Sequence, residues 1–220
     1  ECRRRGISVE TPPELQSMLD AEHGPTKQKA ARLVVDLAAS AGASEFTRCA
    51  HAHVSGVSVI TGGHGLRRFL SDLSGDPEGT VSIPTTLNSA GCDREQIEEM
   101  GIDHENFLEY QFEIIHAYSE LGIDATLSCT PYDRGVEMES GIGSWAESNA
   151  VCYSNSYTSL MTNRESGLSA LATALTGWAP LWGLHIESNR IPNILVTVEA
   201  SMENLADWSV LGDWIGMQIK

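Results

Sequence analysis

The apolar residues of this chain recur in two rhythms, one helical and one of period two, and these alternate along its length. Thr11-Pro12-Pro13-Glu14 has the composition of a helix start, with Thr11 as N-cap and Pro12 in the first position. That helix is predicted to reach about Glu22 and to stop near Gly24. Thr26 is predicted to cap a second helix, Lys27 to Ala41, with an apolar stripe of Ala31, Val34, Val35 and Ala38 and a stop at Gly42. Phe46 to Gly56 reads as one strand, with His51 and His53 on one face and Ala50, Ala52 and Val54 on the other. Thr61-Gly62-Gly63-His64-Gly65 follows as a glycine-rich turn before a helix from Leu66 to Leu73. Its backbone N–H groups could face an anion, but no strict phosphate-loop pattern is present and a plain strand-to-helix turn is the preferred reading.

Further on, Thr80 to Pro84 is predicted as a buried strand, with Thr85-Thr86-Leu87-Asn88 leaving it as a polar loop. Open α/β sheets place ligands beyond such strand ends. Asp93 and Gln96 form a capping box for a helix ending at Gly101. Asp103 caps a longer helix to Leu121, closed by Gly122, with Phe107, Leu108, Phe112, Ile115 and Tyr118 as its buried face. A short apolar run at Ala125 and Leu127, broken at Pro131, is a strand entering a loop, and Cys129 sits at its end. Ser169 to Thr176 continues a helix ended by Gly177, and Trp178-Ala179-Pro180 is a turn. Ile194 to Val198 reads as a strand and Met202 to Lys220 as a closing helix or two. The alternation predicts an α/β fold, a mostly parallel sheet flanked by helices, with one possible internal boundary near 42–46.

Composition narrows the function. With 220 residues and 41% hydrophobic content, the chain can bury a core as one large domain or two small ones. No apolar run approaches the ~18 residues of a membrane span. A formal net charge of -16 repels nucleic acid and anionic lipid, so neither is expected as a partner, and solubility is its plain explanation. The five cysteines (2, 49, 92, 129 and 152) are odd in number and form no CxxC pair. That favours a reducing cytoplasm over a disulfide framework.

Between Trp145 and Gly167 the chain is dense in hydrogen-bonding groups that fill a core poorly: Glu147, Ser148, Asn149, Ser154, Asn155, Ser156, Thr162, Asn163, Arg164 and Glu165. A pocket for a small, oxygen-rich ligand would use them. Cys129 admits three readings: a nucleophile with His53 or His185 and a carboxylate such as Glu147, a metal-cluster ligand, or a small buried hydrophobe. Arg164 beside Glu165 is either a surface pair or a bidentate clamp for a carboxylate or phosphate.

The segments AHVSGVSV (52–59), VSIPTTLNSAGCD (81–93), LGIDATLSCTPY (121–132), SWAESNAVCYSNS (144–156), TNRESGLSALATALTGWAP (162–180) and GLHIESNR (183–190) resemble the aconitase X family. They occur in the family's order and span nearly all of this chain, but only the N-terminal half of the family's large subunit. The family comprises cytosolic dehydratases, among them the phosphomevalonate dehydratase large subunit and the cis-3-hydroxy-L-proline dehydratases. They carry an iron-sulfur cluster, of the four-iron or two-iron kind, that acts as Lewis acid on a substrate hydroxyl.

The resemblance implies that Cys129 is a cluster ligand. It also implies that Thr85, Thr86, Asn88, Glu147, Ser148, Asn155, Asn163, Arg164 and Glu165 surround a hydroxy-carboxylate substrate, for which mevalonate 5-phosphate is one candidate, with His53 close by. The other cluster cysteines are expected in a C-terminal half, and a serine base on a small subunit or swivelling domain. This chain departs from the family's pattern at Gly141-Ile142-Gly143, Ser166 and Trp178. It is accordingly expected to be a fragment, a split subunit, or a binding or assembly module that kept the fold without the cluster.

Overall fold

The computed structural model describes residues 10–93, 95–102 and 106–219; the expected cap at Asp103, like Cys2 and Lys220, lies outside them. The expected strand over 46–56 is two strands in different sheets, β1 (Phe46–Arg48) and β2 (His51–Val54). The backbone changes partner between them, since Cys49 N–H donates to Gly177 and Ala50 N–H to Ile142. The main sheet adds β3 (Thr85–Leu87), β4 (Gly141–Trp145) and β5 (Leu160–Arg164) to β2, all parallel, in the order β3-β2-β4-β5. The small sheet pairs β1 antiparallel with β6 (Trp178–Pro180), where a turn was expected.

Position 80–84 is not the strand; the polar stretch after it is. Val81 N–H donates to Leu121 and Ser82 N–H to Ala174, so this run is spent on helix-end carbonyls, and Pro84 has no N–H to give a ladder. Thr85–Leu87 takes the place beside β2. Residues 125–130 form no strand either; only Asp124 bridges to Thr86.

The helices are α1 (Pro13–Leu19), α2 (Gly24–Ala41), α3 (Val59–Ser74), α4 (Phe107–Glu120), α5 (Ser148–Tyr157), α6 (Gly167–Thr176) and α7 (Leu205–Gln218). Pro12, not Thr11, is the N-cap of α1, which ends before Glu22. Thr26 lies inside the first turn of α2, where Asp76 Oδ2 accepts its N–H at 2.9 Å and its hydroxyl donates to Leu73. Gly42 ends α2 as expected. The glycine-rich stretch lies within α3, which Ser58 caps, and Gly63 (φ 54°, ψ -156°) kinks it in a conformation open to glycine alone. Residues 95–101 make turns rather than a helix, although Asp93 Oδ1 does accept the Glu95 and Gln96 N–H groups.

The buried face of α4 is Phe107, Gln111, Ile114, Ile115, Ala117 and Tyr118; Phe112, expected inside, is 43% exposed. The main core joins α1, α2, α3, α4 and α6 to Val54 and Leu87 of the sheet. A second, smaller cluster of Trp145, Ala150, Val151 and Leu160 lies under α5.

The chain divides into two compact units after Asn189, and residues 42–46 fall inside the first. In the second unit the run Ile194 to Val198 is exposed and forms no strand, for it has no ladder partner among the described residues, and α7 follows. No helix of the described residues is long and apolar enough to cross a membrane.

Candidate functional site at the carboxyl edge of the parallel sheet

Strand register builds the site. Thr86, His53, Trp145 and Arg164 are Cα partners across all four strands, so they form one row on one face, in the last positions of β5, β4 and, nearly, β2 and β3. The adjacent row, Thr85, Ala52, Ser144 and Asn163, belongs to the opposite face. The strand order changes direction about β2, with β3 on one side and β4 on the other. The carboxyl ends of β2 and β4 are thus the crevice where open α/β sheets bind ligands.

His53 is fully buried. Its Nδ1 lies 2.8 Å from Thr86 Oγ1, while its Nε2 has no hydrogen-bond partner among the described residues. His51 is also buried and its Nδ1 accepts the Trp145 indole N–H at 3.2 Å, which puts any ring proton of neutral His51 on Nε2. Both imidazoles sit 5.5 Å from the Trp145 ring, tilted against it. Burial lowers the pKa of each to about 4, and for His53 the neighbouring His51 adds to the effect. Both rings are neutral at neutral pH.

Just beyond the strand ends, Asn88 Nδ2 donates to Glu147 Oε2 at 2.9 Å. The other Glu147 oxygen accepts the Ser148 N–H at 2.9 Å and so caps α5, placing a carboxylate at a helix N-terminus, where it is favoured. Cys129, half-buried, brings its Sγ to 3.2 Å from Ser89 Oγ, and its carbonyl accepts from Asn149 Nδ2 at 3.0 Å. The helices α3, α5 and α6 all begin at this edge. Gly167, at the start of α6, sits so close to the β2 loop that a Cβ would meet the Ser55 carbonyl at 2.3 Å.

The sequence-derived residues therefore separate. Thr86, His53, Asn88, Glu147, Ser148, Arg164 and Cys129 gather at this face and edge. Thr85 and Asn163 face the other way: Thr85 bonds Ile83, and Asn163 ties β5 to the carbonyl of Trp182 and the N–H of Leu184. Asn155 fastens α5 to β5 through both Thr162 backbone groups. Glu165, one residue past β5, alternates away from Arg164 and lines a cleft with Leu37, Thr173, Pro180 and Trp182. His185 is buried with its ring nitrogens 3.0 Å from the Pro180 carbonyl and 3.1 Å from that of Gly143. Among the described residues no hydrogen bond joins Cys129 to His53 or His185, so the hydrolase reading has no base in reach.

Two contributors escaped sequence reasoning. Ser89 adjoins Asn88 and was legible as part of the same motif. Gln111 is a buried amide that donates to the Val57 carbonyl at 2.8 Å and accepts from Val59 and Gly91, joining the loops after β2 and β3. Its position in the apolar stripe of α4, four residues from Phe107 and from Ile115, was the available signal.

The donor set suits one corner of an iron-sulfur cluster. Cys129 offers a half-exposed thiol, whereas Cys49 is buried, with its thiol pushed up by desolvation and by Glu165, and Cys152 is exposed on α5. Among the described residues no group of three or more His, Cys, Asp or Glu side chains could hold a metal ion.

The family described as "Aconitase X first domain" matches residues 8–188. The phosphomevalonate dehydratase large subunit of Methanosarcina mazei is 39% identical over 90% of this chain, which spans 49% of that relative. The cis-3-hydroxy-L-proline dehydratase of Pseudomonas aeruginosa is 34% identical over 84% of the chain and 31% of the relative. The crystal structure of Thermococcus kodakaraensis aconitase X in its holo-form superimposes with a TM-score of 0.81 at 35% identity, covering 96% of this chain and 52% of that one. The chain thus spans about half the length of its phosphomevalonate dehydratase relatives.

Proposed function

Because this chain belongs to the aconitase X family, we propose that it supplies part of the active site of an iron-sulfur hydro-lyase that removes water from a small hydroxy-carboxylate. Mevalonate 5-phosphate is the leading substrate, after the names of two relatives 39% and 38% identical to this chain. The observation that carries the reading is the row Thr86–His53–Trp145–Arg164, which ends at the edge shared by Cys129, Asn88 and Glu147.

Each residue has a distinct task. Cys129 would hold one iron through its thiolate, and the bound cluster would polarise the departing hydroxyl. Arg164, exposed at the end of β5, meets a carboxylate or phosphate with two parallel N–H donors, helped by the helix N-termini beside it. Asn88 and Glu147 hold each other's orientation and present their remaining hydrogen-bonding capacity to a hydroxylated ligand. Thr86 and neutral His53 form the dry wall behind them, joined through Thr86 Oγ1 and His53 Nδ1. The remaining cluster ligands and the proton-transfer base belong to a C-terminal half and a small subunit or swivelling domain.

The test is dehydration of mevalonate 5-phosphate by the chain assembled with those parts under anaerobic conditions. Formation of a product lighter by one water supports the reading. An assembly that takes up no cluster and converts no substrate would instead favour a binding or assembly module that keeps the fold.

A further inference from the structure

We propose that Asn149 is a positioning residue that, with Tyr153 one turn further along α5, clamps the turn from Cys129 to Tyr132 onto that helix and so fixes the sulfur beside Ser89. The amide Nδ2 of Asn149 donates to the Cys129 carbonyl at 3.0 Å. The second hold is aromatic. Tyr132 stacks on Tyr153 with ring centroids 3.6 Å apart and planes 13° from parallel, and Tyr153 in turn contacts Tyr157.

Asn149, Tyr153 and Tyr157 are spaced i, i+4, i+8, so a single stripe of α5 forms the seat. The opposite side of the turn is met by Ser89, whose hydroxyl reaches the sulfur itself. Residues 125–130 carry no strand ladder; the Thr126 hydroxyl and the Ser128 N–H both donate to the Leu87 carbonyl before the thiol, and the clamp adds the hold at the thiol and after it. A hydroxyl on the sulfur and a fixed main chain are the two outer-layer devices that set a thiolate's basicity and aim. The consequence for iron retention rests on Cys129 being a ligand; the clamp itself does not.

The experiment follows the rate of alkylation of each cysteine by iodoacetamide at one fixed pH, peptide by peptide, in this chain and in N149D. Aspartate keeps the size and suits the first turn of a helix, but it cannot donate. Cys152, exposed on the same helix, is the reference, and buried Cys49 reports any loss of fold. In N149D, Cys129 is expected to react about tenfold faster relative to Cys152 than in the parent, and Cys49 stays protected. An unchanged Cys129 rate with Cys49 protected overturns the clamp. If N149D exposes Cys49, Y153L decides, since it removes the ring stacked on Tyr132 and leaves Asn149 in place: a rise of about twofold or more supports the clamp, and none overturns it.

Iron content of the assembled enzyme separates this from the ligand assignment. Should C129S retain full iron while N149D alters alkylation, the clamp stands and the ligand falls. Should C129S lose iron while alkylation in N149D is unchanged, the reverse holds.

Discussion

On one face of the parallel sheet Val54 and Leu87 pack against helices in the main core, with Ala52 buried beside them. On the other face, with the same strands and nearly the same burial, His51, His53 and Thr86 share their space with Trp145. Strands buried on both faces of a parallel sheet ordinarily read as continuous apolar runs. Here the first face, the more apolar, admits Thr85, Ser144 and Asn163, of which Thr85 and Asn163 are spent on backbone partners, whereas the other keeps two imidazoles at the cost of their desolvation. A fold alone does not require that cost, so the polar face is where function is to be sought. The difference between faces lies in single residues: Arg164 and Glu165 are neighbours in sequence and belong to opposite sides.

The largest expected effect tests the polar face at its centre. Trp145 is fully buried between the two histidines, and W145A should cost about 3–5 kcal/mol of stability in urea unfolding. A loss under about 1 kcal/mol would show that this face is loosely packed and the row not a rigid frame. For comparison, V54A on the apolar face should cost about 1–3 kcal/mol with no change in the pH dependence of folding.

The second effect is that pH dependence. Both histidines have folded-state pKa values near 4, below the ordinary 6.5, so the unfolded chain binds protons first as acid is added. Their stabilising contribution is whole above about pH 6.5 and is lost as the pH falls toward 4. Each histidine can contribute on the order of 3 kcal/mol to that loss, the pair somewhat differently because they interact. Urea midpoints at pH 7.5 and 5 measure it; replacing both histidines by glutamine should flatten the difference, and an undiminished slope would place the acid-sensitive groups elsewhere.

The third concerns the face split in catalysis. In the assembled enzyme, R164K should raise KM for the hydroxy-acid substrate by about tenfold or more, through loss of the bidentate fork, with stability changed by less than about 0.5 kcal/mol. E165Q should leave KM within about twofold of the parent, because Glu165 lines the cleft on the other side. Equal losses in the two variants would break the distinction between faces.

Much of this was legible in the sequence where a local rule decides structure. Period-two alternation put His51 and His53 on one face, and Gly42 and Gly177 marked helix ends correctly, because neither depends on distant partners. Legibility failed where a competing partner decides. The apolar run 80–84 lost its place in the sheet to Thr85–Leu87 because its N–H groups go to helix-end carbonyls. Trp178–Pro180 is a strand only because β1 lies beside it. Gln111 was passed over as a polar residue on a helix, although its amide pins two site loops. The aconitase X motifs named the residues of the proposed site, but strand register was needed to separate Arg164, Thr86 and His53 from Glu165, Asn163 and Thr85.

The smallest change with the most direct bearing is one atom, sulfur to oxygen at Cys129. Iron and acid-labile sulfide would be measured in the anaerobically assembled enzyme carrying C129S, beside C152S as the exposed control. Loss of most of the iron in C129S alone is expected if this edge of the sheet holds the cluster. Equal iron in parent, C152S and C129S would contradict it and remove the cluster from the polar face.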